Sequence, residues 1–357
     1  MRVAIGGVVL TAEDADFVVE AERLGAHSVW VPEAWGQDAL TPLAFLAART
    51  SRIRLGSGIV QVGARTPANL AMAALSLQSL SGGRFLLGLG TSGPQVMEGW
   101  HGVRFPSPLN ATRETVEIVR RVAAGEKLEY HGAVYDLPLP GGPGRAIRSM
   151  LPPAPVPIYV AALGPKNLAL TGEIADGWIG NAFLPERAED AFLPFLREGA
   201  ARAGGGRSLA DLDLLIPVAV EFTDDVEEAA SRHARGYAFT IGAMGSKDRN
   251  FYNAAFARQG FADDVAAVQD LWLGGHRAEA AERVPVEIGL KTNLLGTPAM
   301  VKERLRLYRR AGITTLQAKL DGDRHAKLDT LAQLVDLVAE VDAEAGGLGG
   351  AAPDGLG

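Results

Sequence analysis

The sequence has no cysteine in its 357 residues, and aromatic residues make up only 6% of it. The lack of cysteine excludes thiol nucleophiles, disulfide bonds and thiolate-bound iron–sulfur clusters, and it leaves the redox compartment open. With so few aromatic rings, a folded core has to be built mainly from Ala, Val, Leu and Ile. Those residues typically fill the interior of β/α barrels and the layer between barrel and helices.

A surplus of positive charge is also missing, because 42 acidic residues outnumber 35 basic ones and give a net charge of −7. A nucleic-acid-binding protein usually shows a basic stripe, which this chain lacks. The apolar stretch VAIGGVVL near the N-terminus is soon followed by acidic residues, is too short for a membrane span and shows no export signal. We therefore expect a cytoplasmic protein that binds neither nucleic acid nor membranes.

Motifs for metal binding are absent as well. The six histidines are His27, His101, His131, His233, His276 and His325. They are scattered along the chain, with no HExxH motif and no pair at helical spacing. Because metal sites built on histidine depend on such spacing, the sequence predicts no metal centre.

Apolar runs typical of buried strands alternate with helical segments along the whole chain. Proline occupies the expected first helical position in Thr41-Pro42, Thr66-Pro67, Gly164-Pro165 and Thr297-Pro298, where its missing N–H has no cost. The predicted strands are residues 2–8, 27–31, 53–59, 84–89, 157–161, 177–181, 214–220 and 315–319. Eight strand–helix units predict an α/β protein folded as a TIM-type (β/α)8 barrel, with a doubly wound sheet as the alternative.

Two stretches interrupt this alternation. Residues 128–155 read as a polar hairpin followed by a Pro/Gly-rich loop, and residues 241–290 as short helical pieces. We predict that both are insertions at the C-terminal face of the barrel, where insertions of this length are usually functional lids. The expected organisation is one domain of residues 1–345 and a disordered tail, 346–357, which has no apolar periodicity.

A glycine-rich segment follows the fourth predicted strand. Residues 88–93, GLGTSG, match the GxGxxG pattern that in a Rossmann fold lets a dinucleotide approach a helix N-terminus. Pro94 follows at once and no helix begins directly after the glycines, so a tight turn is the other interpretation. In a barrel, the same loop would line the site at the C-terminal ends of the strands.

Other predicted strand ends contain candidate ligand-binding residues. Glu33 follows the second strand, where a carboxylate either binds a ligand or forms a helix cap or a surface ion pair. The small residues at 56–59, GSGI, indicate a bulge or the close approach of a ligand. Gly164 and Lys166 begin a helix after the fifth strand, which suits a phosphate or is an ordinary turn. His101 either contacts a substrate or is an exposed side chain.

Together these segments resemble the luciferase-like monooxygenase superfamily, and within it the oxidoreductases that depend on the deazaflavin coenzyme F420. The resemblance extends over nearly the whole chain, as far as LGTPAMVKERLRLYRRAGITTLQAKL near the C-terminus. Its most specific segments are SVWVPEAW, RIRLGSGIVQVGARTPANLAMAALSLQSLSGGRFLLGLGTSGPQVMEGWHG and PIYVAALGPKNLALTGEIADGWI.

The resemblance implies a homodimer with a cofactor site at the C-terminal ends of the strands. A non-prolyl cis peptide at Gly58-Ile59 would lie behind the deazaflavin ring, and backbone amides after the fifth strand would meet the phosphate. Lys166 and Arg65 are the nearest basic candidates for the acidic tail of the cofactor. The residues at cofactor-binding positions are Glu33, Gly58, Ile59, Gln61, Thr91, Ser92, Ala162, Leu163 and Gly164.

One position departs from a branch of this family. The sugar-phosphate dehydrogenases of the group have a catalytic histidine directly after the acidic residue, and Ala34 occupies that position here. The basic residues that hold a sugar phosphate are likewise not recognisable. Sugar-phosphate dehydrogenation is therefore not expected, and no catalytic side chain is identified.

The expected function is hydride transfer between coenzyme F420 and a small organic substrate that contains an unsaturated, carbonyl or alcohol group. The cofactor supplies the redox chemistry, and the barrel orients the reactants. Because a 5-deazaflavin lacks the N5 atom that supports oxygen chemistry, the resemblance implies reduction or dehydrogenation. An FMN-dependent monooxygenase and a flavin-binding protein without catalysis are the alternatives.

Overall fold

The computed structural model describes residues 1–7, 9, 11–105, 107–245 and 250–348. Within these residues eight parallel strands form a closed barrel, in which each strand pairs with the next and the eighth pairs with the first. Helices connect the strands, since parallel neighbours need such crossover connections. The predicted TIM-type barrel is confirmed, and the doubly wound sheet is excluded.

The barrel strands lie close to their predicted positions. They are β1 Arg2–Gly6, β2 Ser28–Val31, β3 Arg54–Ser57, β4 Phe85–Gly90, β5 Ile158–Ala161, β6 Gly177–Ile179, β7 Asp213–Phe222 and β8 Thr315–Lys319. Shorter strands are Val60–Gln61, Tyr130–His131, Asp136–Leu137 and Leu294–Gly296.

Long helices follow the barrel strands. They are α1 Ala12–Arg23, α2 Leu40–Arg49, α3 Pro67–Ser81, α4 Pro108–Ala123, α5 Pro165–Ile174, α6 Leu193–Ala203, α7 Pro298–Arg310 and α8 Arg324–Leu348. Further helices are Pro94–Met97, Ala188–Ala191, Val226–Gly236, Ala238–Ala243, Phe251–Phe256, Ala262–Leu273, Arg277–Arg283 and Val286–Lys291. Single turns are Pro185–Arg187, Leu209–Asp211 and the π-helical Ala257–Phe261.

The helix N-termini form largely as the sequence predicts. In α3 and α7 the hydroxyls of Thr66 and Thr297 accept hydrogen bonds from the first turn, and proline takes the first helical position. The start of α2 differs, because Asp38 and not Thr41 is its capping residue. The Asp38 carboxylate accepts hydrogen bonds from the N–H groups of Leu40 and Thr41, each at 2.9 Å.

Large side chains fill one layer of the barrel lumen. Trp30 and Tyr159 pack edge to face with ring centroids 5.0 Å apart. Ala4, Leu86 and Leu215 complete this buried cluster. The lumen is therefore closed at this level by packed side chains, as in other barrels of this type.

Most strands contribute small or compact side chains to the next layer toward the C-terminal face, and the larger Gln317, which pairs with Pro217, belongs to it as well. Side chains on one face of a strand recur at every second residue. The layer above the large side chains is therefore formed by Gly6, Pro32, Gly88, Ala161 and Pro217. The small residues let neighbouring groups approach closely here, since a Cβ atom at Gly6 would lie 2.1 Å from the Gln317 amide nitrogen and one at Gly88 1.9 Å from the Ser57 carbonyl oxygen.

The first insertion lies at the opposite face from the one predicted. Residues 128–155 connect the end of α4 to the start of β5, and such a connection lies at the N-terminal face of the barrel. The expected polar hairpin is present, with Tyr130–His131 antiparallel to Asp136–Leu137. The prediction that both insertions lie at the C-terminal face is therefore wrong for this one.

The second insertion, residues 241–290, lies at the C-terminal face as predicted and contains the expected short helices. Its Gln259 side chain donates to the carbonyl of Ala182 at 2.6 Å and accepts from the N–H of Leu184 at 2.8 Å. These two residues follow β6, at the mouth of the barrel. Residues 246–249 of the insertion lie outside the described residues.

The last helix extends past the predicted end of the domain. α8 continues to Leu348, past the predicted boundary at residue 345, and the division into one domain and a tail stays a prediction. The rest of the predicted tail, residues 349–357, lies outside the described residues. Among the helices described, none combines the length and the apolarity needed to cross a membrane.

Gly56 provides a test of lumen packing. A Cβ atom at Gly56 would lie 2.4 Å from the Trp30 ring. Gly56→Ala should therefore lower the free energy of unfolding by about 1–3 kcal/mol, the usual cost of overpacking a core. Denaturant unfolding measures this change. Gly36→Ala is the control, because nothing lies within 4 Å of the added atom, and equal effects of both substitutions would contradict the packing argument.

Candidate active site

The backbone bulges at the end of β3, next to the barrel mouth. Gly56 pairs with Leu86, whereas Val60 pairs with Leu89, so the β3 side contains one more residue than the β4 side between these pairs. The peptide bond within the bulge, Gly58-Ile59, is cis. Both features agree with what the family resemblance implied for this segment.

The Ser57 side chain connects the bulge to β4 by two hydrogen bonds. Its hydroxyl donates to the Gly88 carbonyl at 3.0 Å and accepts from the Gly88 N–H at 2.9 Å. A Cβ atom at Gly88 would lie 1.9 Å from the Ser57 carbonyl oxygen, and one at Gly90 would lie 2.7 Å from Cδ1 of Ile59. Packing between strands thus explains these glycines of the GxGxxG match, and the barrel fold excludes the Rossmann interpretation.

A strip of small residues runs across the ends of β3, β4 and β5. Ile59 covers Gly90, and the Cβ atom of Ala161 lies 3.6 Å from the position of a Cβ at Gly90. β4 continues into Thr91 and Ser92, where Ser92 has a φ of 56° and the Thr91 hydroxyl donates to the Ser92 carbonyl at 3.3 Å. The structure therefore brings these predicted site residues together.

The predicted phosphate loop continues from the strip. Ala162 is buried, and Gly164 precedes α5 without a side-chain cap, so N–H groups of the first turn are available to an anion. The Leu163 carbonyl accepts a hydrogen bond from Arg258 at 2.5 Å, and the Phe251 ring lies 3.2 Å from the position of a Cβ at Gly164. Burial lowers the pKa of the Arg258 guanidinium. Sequence reasoning did not identify these two contacts from the second insertion.

Glu33 is held in a bidentate ion pair. Its oxygens accept from the two terminal nitrogens of Arg65 at 2.7 and 2.9 Å, and one also accepts from the N–H of Ala39 at 3.1 Å. The Glu33 side chain is only 6% exposed, and the hydrogen bonds with Glu33 raise the pKa of the Arg65 guanidinium. Arg65 is therefore paired with Glu33 at the rim of the barrel mouth. Contact between Glu33 and a cofactor stays a prediction.

Gln61 links two loops at the mouth. Its Nε2 donates to the Ala34 carbonyl at 3.3 Å, and its Oε1 lies 2.5 Å from Nε2 of His101. His101 thus reaches the segment in which Ala34 replaces the histidine of the sugar-phosphate dehydrogenases. No group of three or more possible metal-binding side chains occurs in the described part of the chain.

A groove of about 440 Å³ begins beside the phosphate loop. It starts at Lys166 and extends on the outer surface between α4, α5 and α6. Its walls include the ion pairs Arg113–Glu173 and Arg202–Glu198. Lys166 thus lies between the predicted phosphate loop and this groove.

Lys319, the last residue of β8, was not identified from the sequence. Its side chain is exposed at the C-terminal end of a barrel strand, where barrel enzymes have their functional side chains. Its position in the sequence could have indicated it, because a charged residue ends a correctly predicted strand. It lies two residues after Gln317 and therefore on the same face of the strand.

Comparisons with known proteins agree with this arrangement. The family model described as luciferase-like monooxygenase matches residues 10–315. A Mycobacterium tuberculosis protein named as a coenzyme F420-dependent oxidoreductase is 41% identical over 309 residues, covering 85% of this chain and 89% of that protein. The coenzyme F420-dependent tetrahydromethanopterin reductase of Methanopyrus kandleri has a TM-score of 0.76 at 24% identity, covering 95% of this chain and 99% of that one.

A flavin enzyme shares the architecture as well. The oxygenating constituent of 3,6-diketocamphane monooxygenase of Pseudomonas putida, solved with FMN, has a TM-score of 0.67 at 18% identity, covering 96% of this chain and 98% of that one. At such identities the solved structures show the fold alone.

The closed barrel and the bulged strand at its mouth define a (β/α)8 barrel enzyme with its site at the C-terminal face. The family match covers most of the chain. The chain belongs to the luciferase-like monooxygenase family.

Removing Arg65 should leave the buried Glu33 carboxylate without a cationic partner. We expect Arg65→Met to lower the free energy of unfolding by about 2 kcal/mol, less than for a fully buried pair because Arg65 is 23% exposed. Arg49→Met is the matched control, since its partner Asp16 is exposed and such pairs contribute about 0–1 kcal/mol. Urea unfolding of both variants is the measurement, and equal losses would refute a structural role of the Glu33–Arg65 pair.

Proposed function

We propose that this enzyme transfers a hydride between coenzyme F420 and a small organic substrate at the barrel mouth. The supporting observation is the strip from Ile59 through Gly90 and Ala161 to the uncapped start of α5 at Gly164. A planar tricyclic ring needs a flat surface free of large side chains, and a phosphate needs free N–H groups. The strip and the helix start offer both, and the 41% identical relative is named for the same cofactor.

A buried amide at the mouth supports the presence of a ligand there. Both polar atoms of the Gln37 side chain are buried without a hydrogen-bond partner among the described residues. Such a group costs stability unless a ligand or water pairs with it. Gln37 follows β2, in the loop that also contains Glu33. The residues present therefore fit a cofactor with polar edges.

In this proposal the protein binds and orients the cofactor and the substrate, and it excludes water from the site. Bound F420 supplies the hydride-transfer chemistry. Ile59 and the β3 bulge would hold the ring, and the first turn of α5 would hold the phosphate. Phe251 and Arg258 of the second insertion cover the loop at residues 163–164, so they would shield this side of the site from water.

An FMN-dependent monooxygenase is the second candidate, because a barrel of the same fold has been solved with FMN. FMN and F420 share a tricyclic ring and a ribityl phosphate, so the strip and the phosphate loop suit both. Only F420 has a longer acidic tail, and the groove that begins at Lys166 lies where that tail would run. A flavin-binding protein without catalysis is the third candidate, and turnover of any substrate would exclude it.

The phosphate loop is tested by Gly164→Val. The branched side chain would occupy the space next to the first turn of α5, so F420 affinity should fall at least about tenfold, or 1.4 kcal/mol, while the fold is retained. Titration of deazaflavin fluorescence gives the affinity, and circular dichroism checks the fold. Gly236→Val is the control, because Gly236 is exposed at the end of the helix Val226–Gly236, outside the predicted site, and also has open space around it.

Phe251 has to be separated from the phosphate in this experiment, since its ring lies 3.2 Å from the position of the new Cβ. Phe251→Ala combined with Gly164→Val removes that contact. Affinity should stay low in the double variant. If Phe251→Ala restores affinity, the loss came from the insertion, and normal affinity in Gly164→Val alone would remove this loop from the site.

The acidic tail of F420 provides a test of whether the protein prefers F420 or FMN. F420 should bind at least about tenfold more tightly than FMN, a difference of 1.4 kcal/mol that one or two charge-assisted contacts supply. F420 without its glutamates should lose most of this preference. Side-by-side fluorescence titrations at fixed ionic strength measure all three ligands.

Lys166→Met should reduce the difference between long-tailed and tail-free F420, whereas Lys327→Met on α8, remote from the groove, should not. An unchanged tail effect in Lys166→Met would exclude the groove as the tail site. Equal or tighter binding of FMN, with oxygen-dependent turnover once a flavin reductase is supplied, would establish the monooxygenase alternative instead.

A further inference from the structure

Lys319 lies on the lumen face of β8. Leu316 and Ala318 pack into the core between barrel and helices, so alternation places Gln317 and Lys319 on the inner face. The position of Gln317 agrees, because a Cβ atom at Gly6 of β1 would lie 2.1 Å from its amide nitrogen. Lys319 therefore lies directly above the Gln317 amide at the mouth.

The neighbours of Lys319 at the same level are small. On β7 it pairs with Ala219, and on β1 the residue after Ile5, which pairs with Ala318, is Gly6. The Lys319 side chain is exposed to solvent, yet burial by the surrounding protein lowers the pKa of its ammonium group. The Lys319 side chain is therefore open to solvent at the barrel mouth, between small residues on both adjacent strands.

No acidic partner for Lys319 occurs within the described ranges, and burial is the one cause of its lowered pKa. Two carboxylates at the mouth, those of Glu33 and Glu221, are paired with other side chains. Glu33 is held by Arg65. Glu221, on the same face of β7, accepts from Arg232 at 2.7 and 3.2 Å and lies 3.0 Å from Nε2 of His233.

We infer that Lys319, with the Gln317 amide below it, binds a carboxylate group of the substrate. In the closed ladder β8 lies directly across the barrel from β4, whose end forms part of the small-residue strip. A substrate anchored at Lys319 would extend from there toward the strip. A cation and an amide N–H together form strong, charge-assisted contacts to a carboxylate.

A single negative charge fits this site better than a phosphate. A phosphate monoester carries about −1.5 to −2 charges at neutral pH, and Arg232 is already paired with Glu221, so Lys319 is the cation without an acidic partner at this end of β8 within the described residues. The inference rests on the proposed function, because the carboxylate is assigned to the substrate of that same mouth. The predicted substrate class is therefore an unsaturated, carbonyl or alcohol compound with a carboxylate.

The test uses the full-length protein with its amines converted to ¹³C-dimethylamines, a modification that keeps the lysine charge. The sequence contains seven lysines, so each signal can be assigned, and Lys319→Arg identifies that of Lys319. Benzoate is the probe and benzamide its neutral counterpart. We expect benzoate to shift the Lys319 signal saturably and benzamide to leave it unchanged.

Variants then measure the contribution of the charge. Lys319→Met should weaken benzoate binding at least about tenfold, which equals 1.4 kcal/mol. Lys319→Arg should keep it within about threefold. Lys327→Met serves as the matched lysine control and should not change it. Absence of a saturable shift, an equal response to benzamide, or an equal loss in Lys327→Met would each overturn the inference.

Cofactor binding to the wild-type protein is followed separately by deazaflavin fluorescence. F420 binding without any response to benzoate would overturn the carboxylate site and leave the proposed function intact. A benzoate response at Lys319 without F420 binding would support the carboxylate site and show that the proposed cofactor is wrong.

Discussion

The site depends on how the barrel lumen is filled. Trp30 and Tyr159 occupy one layer, and Gly56 makes room for the indole ring, so the lumen is closed below the mouth. The layer above has no side chain larger than proline among the positions that follow the cluster residues. Because protein interiors are close-packed, the small residues of this layer let the strand ends approach one another closely, so that a Cβ atom at Gly88 would lie 1.9 Å from the Ser57 carbonyl oxygen.

The bulge of β3 shapes the surface at the barrel mouth. Two hydrogen bonds between Ser57 and Gly88 hold the extra residue in place, and Ile59 is thereby positioned over Gly90. The surface thus belongs to the sheet itself, and sites built on strands are held more precisely than sites on loops. The second insertion adds to this rigid surface through Phe251 and Arg258, which contact the loop after β5.

The electrostatics of the mouth differ from those of the whole chain. The protein has a net charge of −7, yet Glu33 and Glu221 are each neutralised by an arginine. Lys319 has no such partner in the described structure, and Lys166 lies at the start of the outer groove. Under the proposed function, these two lysines would favour anionic groups on the cofactor and on the substrate.

Local patterns predicted the fold, whereas contacts between distant segments set much of the site. Strand alternation and the caps at Thr66-Pro67 and Thr297-Pro298 could be predicted from neighbouring residues, whereas the cis peptide Gly58-Ile59 in the β3 bulge was implied by the family resemblance. The Glu33–Arg65 pair and the Arg258–Leu163 contact join positions 32 and 95 residues apart, which no local pattern encodes. The location of the first insertion could have been predicted, because a helix-to-strand connection has to return to the N-terminal face. Lys319 could have been found too, since alternation along β8 already placed it beside Gln317 on the lumen face.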